Sequence, residues 1–249
     1  MSTLEREFSM IARLTQHFPR PTGQLNSLGE SDAELLPLGD GTVLAATTDT
    51  IAEEIRSGLY APWLAGYMSV VASCSDLAAV GAAPLALLVA ETLDEQWNSD
   101  RIDELQRGIA DGARACGIGI AGGDTNVGEA TALTCTALGL RCADIRLSRR
   151  GACIGDLVYV SAPAGLGSAF AASTLFGNGR VHYRPLPALN EGCVLADLAT
   201  SCMDSSDGLL ATLDELGRIN TCGFTLDLDI HDLLHPAAFS IAYETGLAP

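Results

Sequence analysis

At 249 residues the chain can bury a sizeable core in one large or two small domains, and its 48% hydrophobic and 18% charged content is that of a folded protein. A net charge of −17 argues against a nucleic-acid partner, because such affinity comes from neutralising phosphates with Lys and Arg. All 14 basic residues are arginine, and the lack of lysine excludes the P-loop and protein-kinase folds, both of which set a lysine on nucleotide phosphates.

In chain order, Met1 to Phe18 reads as an amphipathic helix and not as a signal peptide, with Leu4, Phe8, Ile11 and Leu14 among charged residues. Residues 41–48 predict a strand that ends in Thr47-Thr48-Asp49-Thr50. Residues 61–80 predict a long, almost uniformly apolar helix with Pro62 in its first turn, and this helix carries Asp76. A strand at 85–92 and a helix at 99–116 follow, the helix closed by Gly117. Next come a strand at 118–124 turning at the glycine-rich corner Gly122-Gly123-Asp124-Thr125, and a half-buried strand at 131–139.

A basic, irregular stretch from Arg141 to Gly155 marks a lobe boundary, which gives lobes at 1–140 and 141–249. The second lobe predicts strands at 157–161 and 224–228, helices at 167–176, from 189 and at 208–219, and a turn-like end at Pro249. The expected class is α+β with a mixed or antiparallel sheet. No apolar run is long enough to cross a bilayer, so the expected location is cytoplasmic, with no membrane partner. Eight cysteines without C-x-x-C spacing read as free, mostly buried thiols.

The aspartates in apolar or glycine-rich surroundings carry the chemical signal, since a buried carboxylate needs a partner. Asp76 stands out, because burying it unpaired costs several kcal/mol. Each aspartate also has a structural alternative. Asp76 could bond a nearby backbone amide, Asp49 and Asp124 could serve turns, and one residue of Asp204-Ser205-Ser206-Asp207 could cap the following helix. Two carboxylates and two hydroxyls in four residues exceed what a cap requires. Oxygen donors drawn from several segments suit Mg²⁺, which keeps water and substrate phosphates in its shell.

In order and approximate spacing, Ser31-Asp32, Thr47-Thr48-Asp49, residues 75–84, Gly122-Gly123-Asp124-Thr125, residues 149–156 and residues 204–209 resemble the thiamine-monophosphate kinase family. That family belongs to the superfamily of aminoimidazole ribonucleotide synthetase, whose PurM-like architecture is two-lobed. The resemblance implies a homodimer with sheets joined across the two-fold, and ATP and several Mg²⁺ ions between the lobes. It implies Asp32, Thr47, Thr48, Asp49, Asp76, Asp124, Asp204 and Asp207 as Mg²⁺ ligands, and Gly123, Asp124, Arg149 and Ser206 as nucleotide contacts.

Departures fall on the substrate side. Glu54-Ile55-Arg56-Ser57 replaces the family's Gly-x-His-Phe, and Met68, Ser73 and Val127 stand where the family has Lys, Asn and Arg. Arg56 is the candidate acceptor contact, with a solvated charged loop as the alternative, and its planar fork suits an acceptor more anionic than thiamine monophosphate. Residue 249 precedes the Gly-Gly-Glu-Asp-Tyr-Glu-Leu segment that follows in the family, so the second lobe is expected to be C-terminally short. The expected activity is ATP- and Mg²⁺-dependent phosphoryl transfer to a small phosphorylated metabolite. An ATP-dependent synthetase of the same superfamily and a non-catalytic nucleotide-binding relative are the alternatives.

Overall fold

The computed structural model describes residues 3–145, 147–177 and 179–246, and of residues 3–8 the backbone alone. Helix α1 (Thr3–Thr15) leads through a long loop to strands β1 (Glu34–Gly39) and β2 (Thr42–Ile51). The turn between them places Asp40 and Gly41 at φ 51° and 82°. Then come α2 (Glu53–Arg56), α3 (Pro62–Ala79), β3 (Ala83–Asp94), α4 (Ser99–Ala115), β4 (Ile120–Gly128) and β5 (Ala132–Cys142).

These strands form one sheet in the order β1-β2-β5-β3-β4, antiparallel except for the parallel pair β3/β4, with β4 at an edge. Alternation along β5 turns Leu133, Cys135 and Ala137 inward, where all three are fully buried, and Thr134 and Thr136 outward. Helices α3 and α4 cover the inner face, and the core gathers Tyr67, Val70, Leu77, Leu87, Leu105 and Leu133. Glycines bring the two helices together: a Cβ at Gly66 would lie 2.1 Å from the Leu105 carbonyl, and one at Gly108 would lie 1.9 Å from that of Trp63. Helix α4 opens on Asn98, whose side chain accepts from the Arg101 amide.

The remaining elements are helical: α5 (Leu166–Leu175), α6 (Leu189–Leu195), α7 (Leu209–Asn220), α8 (Ile230–Leu233) and α9 (Pro236–Thr245). Helix α6 abuts the end of α3 so closely that a Cβ at Gly192 would lie 2.2 Å from the Ala78 carbonyl. The Tyr67 hydroxyl donates to the Pro185 carbonyl at 2.9 Å, and the Arg184 guanidinium lies over the rings of Trp63 and Tyr67. Both contacts tie the second half of the chain to α3.

Several expectations need correction. Residues 157–161 and 224–228 are not strands, and Leu157 and Tyr159 are 76% and 82% exposed. A strand needs a hydrogen-bonded neighbour, and among the described residues the one bridge outside the sheet joins Ala164 to Leu234. Gly122-Gly123-Asp124-Thr125 is no corner but the middle of β4. The expected turn-like end contains α9, with Pro236 in its first turn and His235 as its cap. All eight cysteines are free, but only Cys74, Cys116 and Cys135 are buried. No described helix is long and apolar enough to cross a membrane.

Candidate metal and nucleotide site

Four acidic residues from four segments meet where the end of α3 passes β2. Asp32 lies in the loop before β1, Asp49 on β2, Asp76 in the last turn of α3 and Asp204 in the loop before α7. One carboxylate oxygen from each of Asp32, Asp76 and Asp204 lies within 4.8 Å of the others. Asp49 borders this trio, beside Asp76 and the hydroxyl of Ser73, one turn before Asp76, both of which hold its carboxyl down against burial. Ser73 is itself fully buried and bonded to the Cys135 carbonyl at 3.0 Å.

The electrostatics show four carboxylates crowded without enough positive charge. Burial, and then the charge of Asp49, push the Asp76 carboxyl up to about 8, against the Thr47 hydroxyl that donates to it at 2.5 Å. Burial and the charge of Asp32 push Asp204 up to about 6, although the Ser206 hydroxyl and Arg149 pull it down. Burial likewise raises Asp49. Arg149 is the cation paired with the group: its Nη2 donates to Asp32 Oδ1 at 2.9 Å, with side chains 17% and 0% exposed. Burial works against the arginine's charge, but the Asp32 hydrogen bond and the neighbouring carboxylates outweigh it and raise its pKa.

The donor set fits a divalent cation. Asp32 Oδ2 and Asp49 Oδ2 are buried with no hydrogen-bond partner, an arrangement that costs roughly 1–3 kcal/mol per group and that a cation would relieve. Oxygens on opposite sides of a Mg²⁺ ion stand about 4.2 Å apart, within the spread of the trio.

The structural alternatives resolve differently at each residue. Asp76 takes a side-chain hydroxyl and not a backbone amide, so the local helix role does not describe it. Helix α7 is capped by Gly208 without any side-chain bond, so Asp204 and Asp207 are not its caps. Asp207 and Ser206 are exposed beside Asp204. The strand pleat separates the rest. Thr47 and Asp49 face the helices, while Thr48 points to the outer face, where its hydroxyl lies 3.0 Å from that of Thr136.

Asp124 is on that outer face too, in line with Ala90, Thr134 and Thr50, and it accepts from the Asn126 side chain at 2.7 Å. Three strand spacings, roughly 14 Å, separate its strand from β2, so one chain does not bring Asp124 to the trio. Gly123 serves strand packing, since a Cβ there would lie 1.7 Å from the Val89 carbonyl. Beside it the edge of β4 borders a cavity of about 280 Å³ lined by Glu91, Gln106, Ile109, Gly123, Asp124 and Thr125. Arg56 is exposed on α2 and pairs with Glu53 in its own turn. In the sequence Ser73 stands only as a departure from the family, and nothing there marks Thr212, whose hydroxyl lies 3.2 Å from the Asp204 carbonyl and 3.1 Å from that of Gly208. A small hydroxyl residue one turn before a buried Asp is the signal that could have found Ser73.

Residues 30–141 match the family model described as AIR synthase related protein, N-terminal domain. The thiamine-monophosphate kinase of Haemophilus influenzae is 31% identical over 238 residues, 89% of this chain and 70% of the relative. That of Buchnera aphidicola from Acyrthosiphon pisum is 29% identical, over 90% of this chain and 72% of the relative. Among solved structures, AaThiL complexed with AMPPCP and TMP superposes with a TM-score of 0.76 at 20% identity, over 100% of this chain and 81% of that one, a likeness of fold. With four clustered aspartates on that fold and such identity over most of its length, the chain belongs to the thiamine-monophosphate kinase family.

Proposed function

We propose that the protein is an ATP- and Mg²⁺-dependent phosphotransferase whose acceptor is a small phosphorylated metabolite. The observation that carries this reading is the half-buried trio Asp32, Asp76 and Asp204, with unsatisfied oxygens on Asp32 and Asp49 and one arginine beside them. Phosphoryl transfer asks a protein for positioning and charge neutralisation more than for covalent chemistry, so a site without lysine suffices. Bound Mg²⁺ would supply neutralisation of the phosphate oxygens. Asp32, Asp49, Asp76 and Asp204 would hold it, with the Thr47 hydroxyl fixing the Asp76 carboxylate. Arg149 would offer its fork to a phosphate, and its Nε–H, buried and without a partner, is one donor left for that purpose. The structure of a relative with AMPPCP and TMP supports a nucleotide and a small phosphate ester as the ligand classes.

The homodimer belongs to the same proposal. Edge strand β4 and the outer sheet face, with Leu88 and Val127 exposed, offer a surface for a second copy. Asp124 would then reach a site from across the two-fold. Arg56, exposed on α2, is proposed to meet the acceptor: Arg56→Ala should raise the acceptor's KM and leave nucleotide affinity unchanged.

The decisive test is a thermal melt with Mg²⁺ and AMP-PCP together and apart. A ligand present at 100 times its Kd stabilises by about 2.7 kcal/mol, which is roughly 5–10 °C in a chain of this size. No magnesium-dependent shift at millimolar nucleotide would refute the reading. Following γ-labelled ATP then separates a kinase, which places the label on the acceptor, from a synthetase, which releases it as inorganic phosphate.

A further inference from the structure

We infer that Asn220, the last residue of α7, is a positioning residue that sets Arg149 beside the acidic trio. The inference rests on the nucleotide reading above. Its side chain uses its full capacity in four hydrogen bonds: Nδ2 donates to the carbonyls of Arg149 at 2.8 Å and Leu216 at 2.9 Å, while Oδ1 accepts from the amides of Gly151 at 2.8 Å and Ala152 at 3.2 Å. A reversed amide would satisfy none of these contacts, so the orientation is set by the network.

The Arg149 backbone is thereby held from three sides. Its amide donates to the Glu30 carbonyl at 2.9 Å, and its carbonyl accepts from both Asn220 and the Ser201 hydroxyl, the latter at 3.1 Å. Just beyond it, Gly151 has φ 123°, and a Cβ there would lie 2.1 Å from the Thr200 carbonyl. An arginine with a long, rotamer-rich side chain meets a buried carboxylate reliably only when its main chain is fixed, since each freed torsion costs ordering entropy on binding. The same helix borders the opposite side of the site, because the Thr212 hydroxyl shares its proton between the Asp204 carbonyl at 3.2 Å and the Gly208 carbonyl at 3.1 Å. Helix α7 thus spaces the arginine from the Asp204 loop, with Asn220 as the anchor at its far end.

The test is a double-mutant cycle read by calorimetric titration of Mg²⁺–AMP-PCP into wild type, Asn220→Ala, Arg149→Ala and the double variant, with a thermal melt of each. Because Asn220 acts through Arg149, each single change should weaken nucleotide binding roughly tenfold, and the double variant should bind no worse than Arg149→Ala. Asn220→Asp serves if the alanine variant does not fold. It keeps acceptors for Gly151 and Ala152 but turns an oxygen toward the Arg149 carbonyl, and should give the same loss. A loss equal in both arginine backgrounds, or a lowered melting temperature with nucleotide affinity unchanged, would overturn the inference. A wild type that binds no Mg²⁺–AMP-PCP would instead remove the nucleotide reading beneath it.

Discussion

Replacing Asp76 with asparagine separates a metal ligand from a structural acceptor, because the two roles predict opposite changes. The Asp76 carboxyl titrates near 3.8 in an unfolded chain and at about 8 in the fold. The native state therefore holds a proton that the unfolded chain releases, and stability of the metal-free protein falls as pH rises from about 4 toward 8. At about 1.4 kcal/mol per pKa unit, the cost near pH 7 is bounded at about 4 kcal/mol. Coupling among the four carboxylates spreads this cost over the group, so about 2 kcal/mol is assigned to Asp76. Asparagine takes up no proton, can still accept from Thr47, and can donate to the partnerless Asp49 oxygen. Asp76→Asn should therefore raise the metal-free melting temperature at pH 7–8 by roughly 4–8 °C, with the gain fading toward pH 4, and should abolish most of the stabilisation by Mg²⁺ with AMP-PCP. Calorimetric melts across pH 4–8, with and without the ligands, measure both quantities. A variant less stable than wild type at pH 8 that keeps its full magnesium response would refute the reasoning.

Protons and cations compete for the same oxygens, so apparent Mg²⁺ affinity should weaken as pH falls from about 8 through about 6, the range set by Asp76 and Asp204, and binding should release protons into buffers of different ionisation enthalpy. Gly108→Ala places a methyl 1.9 Å from the Trp63 carbonyl and should cost about 3 kcal/mol in urea unfolding, whereas a loss below about 0.5 kcal/mol would contradict the tight α3–α4 contact. Mixing inactive Asp76→Asn and Asp124→Asn chains should restore about a quarter of wild-type turnover if each site draws on both copies, and nothing if it does not.

Much of the architecture was readable because the first half of the chain is strongly patterned. The apolar run that became α3 and the alternation that became β5 both have single solutions. The site was readable because Asp76 interrupts an apolar helix and Asp49 ends a run of threonines, positions where a carboxylate makes no sense without a partner. The face of each residue was equally available and was missed: a period of two separates Thr47 and Asp49 from Thr48 and Thr50. Gly122-Gly123 misled because glycine marks close backbone approach as well as turns, and here the approach is that of β4 to β3. Residues 157–161 have the composition of a strand, but composition says nothing about whether a neighbour is there to pair with. Helix α9 was missed although Pro236 stands at its first turn and a mostly apolar run, residues 237–242, follows it.

The glycine-drawn contact of α3 with α4 divides the candidate cation site into a stiff jaw and an adjustable one. Asp76 rides on a helix whose backbone touches its neighbour's at van der Waals distance, and Asp49 is paired with Cys135 in the β2–β5 ladder, so neither can shift without dragging the core along. Asp32 and Asp204 stand on irregular loops, where small changes in backbone angle are cheap. An ion larger than Mg²⁺, such as Ca²⁺ with oxygens at about 2.3–2.6 Å, would thus be accommodated from the loop side alone. Arg149 is tethered to Asp32 by its side chain while its backbone is held by Asn220 and Ser201, so the radius of the bound ion would be felt as a pull on the guanidinium and not as a shift of its main chain.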